Sequence, residues 1–117
     1  MYNECDLSTL YKFDNIIDPH ADALAAKLGG RSKVGFDATR EFDVISSTVI
    51  GQTKPSSITM GKAFRNQAKA TFEATKERGM EVYYHFEGGP PSSDVLRALE
   101  RYSERYQVKL TIDTDPL

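Results

Sequence analysis

The sequence predicts an α/β fold in which a mixed central β-sheet is flanked by helices, in the order α-β-β-β-α-β-α-β. Two observations support this. Segments that alternate apolar and polar residues at every second position are interspersed with segments whose apolar residues recur every three or four positions. With 117 residues, 39% hydrophobic and 27% charged, the chain has the length and composition of a single globular domain.

The first predicted element is a helix that begins at Asp18 and Pro19. An aspartate caps the free N–H groups of a first turn, and proline fits the first helical position. Apolar residues recur at helical spacing until the Gly29-Gly30 pair, which is typical of a helix end. Residues 1–15 have no clear period, so we expect a lead-in segment there and one domain over residues 16–117.

Three strands are predicted next. Residues 34–37 form a short strand, and residues 41–46 and 48–54 both alternate with period two. Because a serine turn separates these last two segments, we expect them to pair as a hairpin that ends at Pro55.

The second half of the sequence is predicted to alternate helix and strand. A long helix is expected over residues 58–78, and Gly79 ends it. Residues 80–86 are rich in β-branched and aromatic side chains, as in a buried strand. A helix over residues 93–106 and a strand over residues 108–113 complete the sheet.

Composition excludes several classes of protein. The single cysteine, Cys5, cannot form an internal disulfide, so we expect a fold that is stable in a reducing compartment. No apolar run approaches the roughly 18 residues that a membrane span requires, and the N-terminal residues do not resemble a signal peptide. The net charge of −2 argues against a general nucleic-acid coat protein.

Positive charge is concentrated in the middle of the sequence. No acidic residue lies between Asp43 and Glu73, and this interval holds Lys54, Lys62, Arg65 and Lys69. Such a basic region suits a localised anion site. The alternative is an ordinary solvated helix face, which charge alone does not exclude.

Polar side chains also gather at one end of the predicted hairpin. Because residues two apart share a strand face, Asp43 is expected opposite the face of Phe42 and Val44. On the second strand Gln52 and Lys54 share a face, so Asp43 can lie beside both of them across the hairpin.

A carboxylate, an amide oxygen and an ammonium group are the parts of a metal-assisted phosphodiesterase site. Oxygen ligands hold Mg²⁺ or Mn²⁺, which polarises the phosphate and activates a water molecule. The lysine orients that water or neutralises charge on the phosphoryl oxygens. The alternative is a surface Asp–Lys pair, worth under about 1 kcal/mol.

The Asp43, Gln52 and Lys54 spacing resembles the PD-(D/E)XK signature of restriction-endonuclease-fold nucleases, in the variant with glutamine in place of the second acid. Over residues 20–115 the chain is similar to the restriction-endonuclease-fold toxin domains at the C-termini of bacterial contact-dependent growth inhibition proteins and related polymorphic toxins. The similar segments are LAAKLGG, REFDVIS, IGQTKPSS, FRNQAKATFEAT and VYYHFEG.

This resemblance implies a restriction-endonuclease-like core and a metal-dependent endonuclease that uses Mg²⁺ or Mn²⁺. It implies that Asp43 binds the metal, that Gln52 takes a position usually held by an acid, and that Lys54 is catalytic. Family members cleave tRNA or DNA, and we expect tRNA here. They are neutralised by a cognate immunity protein, which we expect to be acidic. The domain is expected to be the C-terminal part of a larger exported bacterial protein that acts in the cytoplasm of a target cell.

The chain departs from the family pattern around the metal. Gln52 is neutral, so a further acid is needed, and the first helix offers Asp18 and Asp22 where the family commonly has glutamate. Because Asp18 is expected to cap the helix, we predict Asp22 as the additional metal ligand. Glu41, on the face of Asp43, is the rival.

The long predicted helix supplies candidate substrate contacts. Gln67 lies at the edge of its apolar stripe, and related nucleases carry a glutamine in this helix close to the active site. Lys62, Arg65 and Lys69 form a basic row suited to phosphates. Ser57, with the serine before it, is expected to cap the helix, whose positive N-terminal end would favour a phosphate.

Two other functions stay open. A metal-free ribonuclease would use His85 as its base, although a lone histidine on a strand is more often structural. A non-catalytic nucleic-acid-binding module of the same fold would need none of Asp43, Gln52 and Lys54. The sequence contains no Cys/His cluster with the spacing of a zinc site.

Overall fold

Three α-helices flank a six-stranded mixed sheet in the computed structural model of the protein, which describes residues 5–13 and 17–117. The elements in chain order are β1 (Tyr11–Lys12), α1 (Pro19–Leu28), β2 (Arg31–Gly35), β3 (Phe42–Ile45), β4 (Val49–Pro55), α2 (Lys62–Arg78), β5 (Glu81–Glu87), α3 (Ser93–Tyr106) and β6 (Leu110–Asp113). The predicted fold class is confirmed, as is the order of its eight elements.

β1 is an additional short strand inside the predicted lead-in segment. Tyr11 and Lys12 pair antiparallel with β2, and the Cys5 N–H donates to the Ser47 carbonyl oxygen over 2.8 Å. This part of the lead-in therefore lies against the antiparallel edge of the sheet. The predicted boundary between residues 15 and 16 lies outside the described residues.

The sheet changes direction at β4. The strands follow chain order across the sheet; β1 to β4 pair antiparallel, whereas β4, β5 and β6 pair parallel. Antiparallel neighbours need only short turns, but parallel neighbours need crossovers. α2 and α3 make those two crossovers, so β4 has the predicted hairpin partner on one side and a parallel partner on the other.

α1 begins and ends as predicted. The Asp18 carboxylate accepts a hydrogen bond from the Ala21 N–H over 3.1 Å, and Pro19 is the first helical residue. Gly29 ends the helix with a φ of 68°, a left-handed conformation that glycine adopts without a Cβ clash.

The predicted start of the long helix is wrong. α2 begins at Lys62 after Gly61, and within the described chain no side chain caps it. The Ser56 N–H donates to the Glu87 carbonyl oxygen over 2.8 Å, and the Ile58 N–H donates to the Pro55 carbonyl oxygen over 3.0 Å. These bonds hold the segment after β4 as a turn tied to the end of β5. Ser57 is therefore exposed in that turn and does not cap the helix.

Different helices cover the two faces of the sheet. α2 and α3 cover one face with a core that includes Phe72, Tyr84 and Phe86. α1 covers the other face, where Leu24 packs against Val44. Full burial of one such large apolar side chain contributes about 1.5–3 kcal/mol.

Gly51 in β4 allows α1 to approach the sheet closely. A Cβ atom at this position would stand 3.3 Å from Leu28 Cδ1 and 3.6 Å from Leu24 Cδ2. A larger side chain would press α1, and with it Asp18, away from the strands.

Candidate active site

Three carboxylates surround the ammonium group of Lys33. Its Nζ lies 3.0 Å from Glu41 Oε2, 3.3 Å from Asp43 Oδ1 and 3.6 Å from Asp18 Oδ2. Burial lowers the pKa of Lys33, but its bonds with Glu41 and Asp43 outweigh burial and raise the pKa above the usual value. The ammonium group therefore stays charged. We call these four residues the Lys33 cluster.

The Lys33 cluster joins separate elements at one end of α1. Asp18 caps α1, Lys33 lies in β2, Glu41 directly precedes β3 and Asp43 lies within β3. Lys33 has a φ of 51°, in the left-handed region that side chains other than glycine rarely adopt. This backbone conformation is part of what brings the lysine to the carboxylates.

Asp43 lies where the β3–β4 hairpin opens. The ladder pairs Val44 with Gly51, and next to that pair Asp43 Oδ2 accepts the Thr53 N–H over 3.0 Å. The expectation that Phe42 and Val44 share a face is wrong: Val44 packs under α1, whereas Phe42 packs on the α2 side of the sheet. The alternation of β3 side chains between the two faces of the sheet breaks at Asp43, whose carboxylate accepts the N–H of Thr53 in β4.

Asp43 is thereby tied to the middle of the predicted Gln52–Lys54 motif. Its Oδ1 faces Lys33, its Oδ2 holds Thr53, and the residue is only 9% exposed. The structure thus brings Asp43 to the backbone between Gln52 and Lys54.

Lys54 is a half-buried cation close to this carboxylate. Burial is the main cause that lowers its pKa; the charge of Asp43 opposes this shift, and the charge of Lys33 adds to it. Within the described chain no hydrogen bond and no ion pair engages its ammonium group. A lysine in this state has donors free for a water molecule or for a phosphoryl oxygen.

Gln52 is fully buried and faces α2. Its Nε2 donates to Thr71 Oγ1 over 3.1 Å, and Thr71 Oγ1 donates in turn to the Gln67 carbonyl oxygen over 2.8 Å. Because the hydroxyl proton is already used, Thr71 accepts from Gln52, which fixes the orientation of the amide. Gln52 Oε1 has no hydrogen-bond partner among the described residues. A buried amide oxygen without a partner costs about 1–3 kcal/mol.

The two acids considered as additional ligands occupy different places. Asp22 is exposed, accepts a hydrogen bond from Ser32 Oγ and lines a cavity of about 490 Å³ with Lys12 and Arg31. It is not one of the carboxylates around Lys33. Glu41 is one of them, and so is Asp18, whose Oδ1 caps α1 while its Oδ2 faces the lysine.

The predicted substrate contacts lie outside the Lys33 cluster. Lys62, Arg65 and Lys69 are exposed in the first half of α2, and Gln67 is half-buried beside them. Their spacing keeps the three cations near one face of the helix. They form a basic surface, and the backbone of Gln67 supports the Thr71–Gln52 bond.

His85 is fully buried and connects β4 with the C-terminal residues. Its Nδ1 lies 3.1 Å from Thr53 Oγ1, and its Nε2 lies 2.8 Å from the Asp115 carbonyl oxygen. Because a carbonyl can only accept, Nε2 carries a proton, and in the neutral ring Nδ1 accepts from the Thr53 hydroxyl group. His85 thus supports the same threonine whose N–H holds Asp43.

Sequence reasoning missed Lys33 and Thr53. Neither belongs to the recognised motif, and the left-handed backbone of Lys33 leaves no signal in the alternation of β2. Thr53 acts through its backbone N–H, which every residue except proline possesses. For Asp18 a signal was present, because a carboxylate has two oxygens and a helix cap uses only one.

The site has the donor chemistry of a hard divalent cation. Asp18, Glu41 and Asp43 each direct one carboxylate oxygen at the same point, and such oxygens are what Mg²⁺ and Mn²⁺ prefer. Among residues 5–13 and 17–117, no group of three or more His, Cys, Asp or Glu side chains is arranged so that it could hold a metal ion. In the Lys33 cluster the ammonium group takes the central position.

The described helices include none that is long and apolar enough to cross a membrane.

Comparison with curated proteins and with solved structures gave no match. A protein-family model, restriction endonuclease fold toxin 3, matches residues 10–114. That match covers all six strands and all three helices described above, together with Asp43, Gln52 and Lys54. The chain therefore belongs to the family of restriction endonuclease fold toxins.

Proposed function

We propose that this domain is a metal-dependent endonuclease that hydrolyses phosphodiester bonds. The observation that supports it best is a buried carboxylate close to a half-buried lysine whose ammonium group has no bonding partner among residues 5–13 and 17–117. Asp43 is tied to the backbone of β4 one residue before Lys54, and the pKa of Lys54 is lowered chiefly by burial. No ion pair joins the two side chains among the described residues, so a phosphate could draw on the ammonium group of Lys54 without first breaking such a pair.

Asp43 is the central ligand in this proposal, with Asp18 and Glu41 as the acids that compensate for the neutral Gln52. Asp22, the ligand expected from the sequence, is engaged with Ser32 instead. When bound, Mg²⁺ or Mn²⁺ supplies a polarised phosphoryl oxygen and an activated water molecule. Gln52 Oε1, a buried amide oxygen within the motif, has no donor among the described residues.

Lys54 supplies the positive charge at the reacting phosphate. Its ammonium group orients the attacking water or neutralises the charge that builds up on the phosphoryl oxygens. Partial burial strengthens this effect, because a charge in a less polar environment interacts more strongly with its neighbours than a charge in water. Thr53 contacts His85 through its hydroxyl group and Asp43 through its N–H, and these two bonds hold Asp43 beside the strand position of Lys54.

The substrate is proposed to be tRNA, with DNA as the alternative. The basic surface of Lys62, Arg65 and Lys69 suits a phosphate backbone of either kind. The choice of tRNA rests on the resemblance to toxin domains, and Ser57 and Gln67 stay proposed contacts beside that surface. By the same resemblance, the domain is proposed to belong to a larger exported protein of an interbacterial competition system and to act in the cytoplasm of the target cell.

An acidic immunity protein is the proposed partner. A nuclease that attacks nucleic acid common to all cells must be silenced in the cell that makes it. An acidic protein bound to the basic surface of α2 would mimic phosphate charge, speed association and block access of the substrate.

The test is cleavage of total RNA and of plasmid DNA by the purified domain, with and without EDTA. We expect cleavage that EDTA stops and that Asp43→Asn and Lys54→Met each abolish. Lys76→Met, at an exposed lysine in the last turn of α2, is the matched control and should stay active. Cleavage that resists EDTA would refute the metal dependence, and because both ring nitrogens of buried His85 are already engaged, it would require a base other than His85. Binding without cleavage by the wild-type domain would indicate a non-catalytic nucleic-acid-binding module.

A further inference from the structure

Two of the three carboxylates that face Lys33, those of Asp43 and Asp18, also accept hydrogen bonds from backbone groups. Asp43 Oδ1 faces the lysine, while Oδ2 of the same carboxylate is fixed by the Thr53 N–H at 3.0 Å. Asp18 Oδ2 faces the lysine, while its Oδ1 is fixed by the Ala21 N–H at 3.1 Å. Both carboxylates are therefore anchored to backbone groups and keep their direction if the ammonium group leaves.

Among the described residues, the ammonium group of Lys33 is held by its ion pairs with these carboxylates and by its hydrogen bond to Asp43. Its side chain is 21% exposed, so it has a path to solvent, and its backbone adopts the left-handed conformation described above. Three carboxylates that approach one point repel each other unless a cation stands among them. The lysine supplies that cation in the metal-free domain.

We propose that Lys33 is a tethered cation that holds the carboxylates together in the metal-free domain and that a divalent metal ion displaces. The proposal rests on the proposed metal-dependent function, because it concerns the same carboxylates. The lysine lowers the apparent metal affinity, because each binding event must first remove the ammonium group from its partners. The domain would thus fold without metal and bind metal weakly until the lysine swings out.

Amine labelling of the wild-type domain tests the displacement directly. Lysines would be acylated under limiting reagent with and without saturating Mn²⁺, and the modified peptides quantified by mass spectrometry. We expect Mn²⁺ to raise labelling of Lys33 several-fold and to leave the exposed Lys76 unchanged. Unchanged or reduced labelling of Lys33 at saturating Mn²⁺ would overturn the proposal.

Metal titration of a variant provides the second test. Lys33→Met keeps the length of the side chain and removes its charge, so we expect it to bind Mn²⁺ about tenfold more tightly than the wild type. Lys33→Arg should stay close to the wild type, and Lys76→Met is the charge-matched control. Calorimetry measures the affinities; if Lys33→Met does not fold without metal, Lys33→Gln replaces it in the same titration.

The outcomes separate this inference from the proposed function. If the wild type neither binds Mn²⁺ nor loses cleavage with EDTA, the metal-dependent function itself is wrong. If EDTA stops cleavage but Lys33→Met binds Mn²⁺ no more tightly than the wild type, only the role of Lys33 is wrong.

Discussion

The carboxylate of Asp113 predicts a measurable dependence of stability on acid. It accepts hydrogen bonds from Lys27 Nζ over 2.7 Å, from Tyr83 Oη over 2.6 Å and from the Asp115 N–H over 2.9 Å. Burial raises the pKa of Asp113, but these bonds outweigh burial and lower it from 3.8 to about 2. At about 1.4 kcal/mol per pKa unit, this shift corresponds to at most about 2.5 kcal/mol. Because Lys27 is 39% exposed, we expect about 1–2 kcal/mol.

The direction of the pH dependence of stability follows from the lowered pKa of Asp113. The stabilisation is fully present above the unfolded pKa of about 4 and is lost as the pH falls through the folded pKa of about 2. Asp113→Asn should therefore reduce the free energy of unfolding by about 1–2 kcal/mol at pH 7 and much less near pH 2. Urea denaturation at several pH values measures the free energy of unfolding of the wild type and the variant. Asp94→Asn, which removes one partner of an exposed ion pair, is the control and should have little effect. A difference between wild type and Asp113→Asn that does not change with pH would refute the reasoning.

Three further predictions concern the site. Lys54→Met should abolish cleavage without lowering the thermal midpoint, because the lowered pKa shows that folding disfavours the charged lysine; a large loss of stability would instead indicate a structural role. Gln52→Glu should cost about 2–4 kcal/mol at pH 7, because it buries a charge beside Thr71, and the loss should shrink in acid as the new carboxylate is protonated. Equal stability of this variant and the wild type at pH 7 would show that cations or water reach the position. Charge reversal at Lys62 and Arg65 should weaken RNA binding and flatten its dependence on salt; an unchanged slope in filter-binding titrations would exclude this surface from the interface.

Local patterns predicted the parts of the fold that depend on local chemistry. The cap and the glycine stop of α1 follow from residues at its ends, and the hairpin follows from two alternating segments with a short turn. The start of α2 was misplaced because the Ser56–Glu87 backbone bond joins residues far apart in sequence, and such a bond has no signature in the helical pattern.

The proximity of Asp43 to the end of β4 follows from strand geometry, whereas other contacts of the candidate site do not. Spacing predicted that Asp43 lies beside Gln52 and Lys54, and the structure brings Asp43 to the backbone next to Lys54. The orientation of Gln52 toward Thr71 and the position of Lys33 among three carboxylates depend on how α1 and α2 pack on the sheet. Spacing within one strand contains no information about that packing.

The bond between Lys27 and Asp113 spans 86 residues, from the first helix to the last strand. It has a consequence for the order of events during synthesis. The residues of the Lys33 cluster lie between positions 18 and 43 and are synthesised early, but α1 gains this anchor only after β6 has left the ribosome. Because contacts so distant in sequence form slowly, a nascent chain holds Asp18 at the start of a helix that lacks this anchor until the last strand is made. Ribosome-bound chains that stop after β5 should therefore be inactive even though they contain Asp43, Gln52 and Lys54.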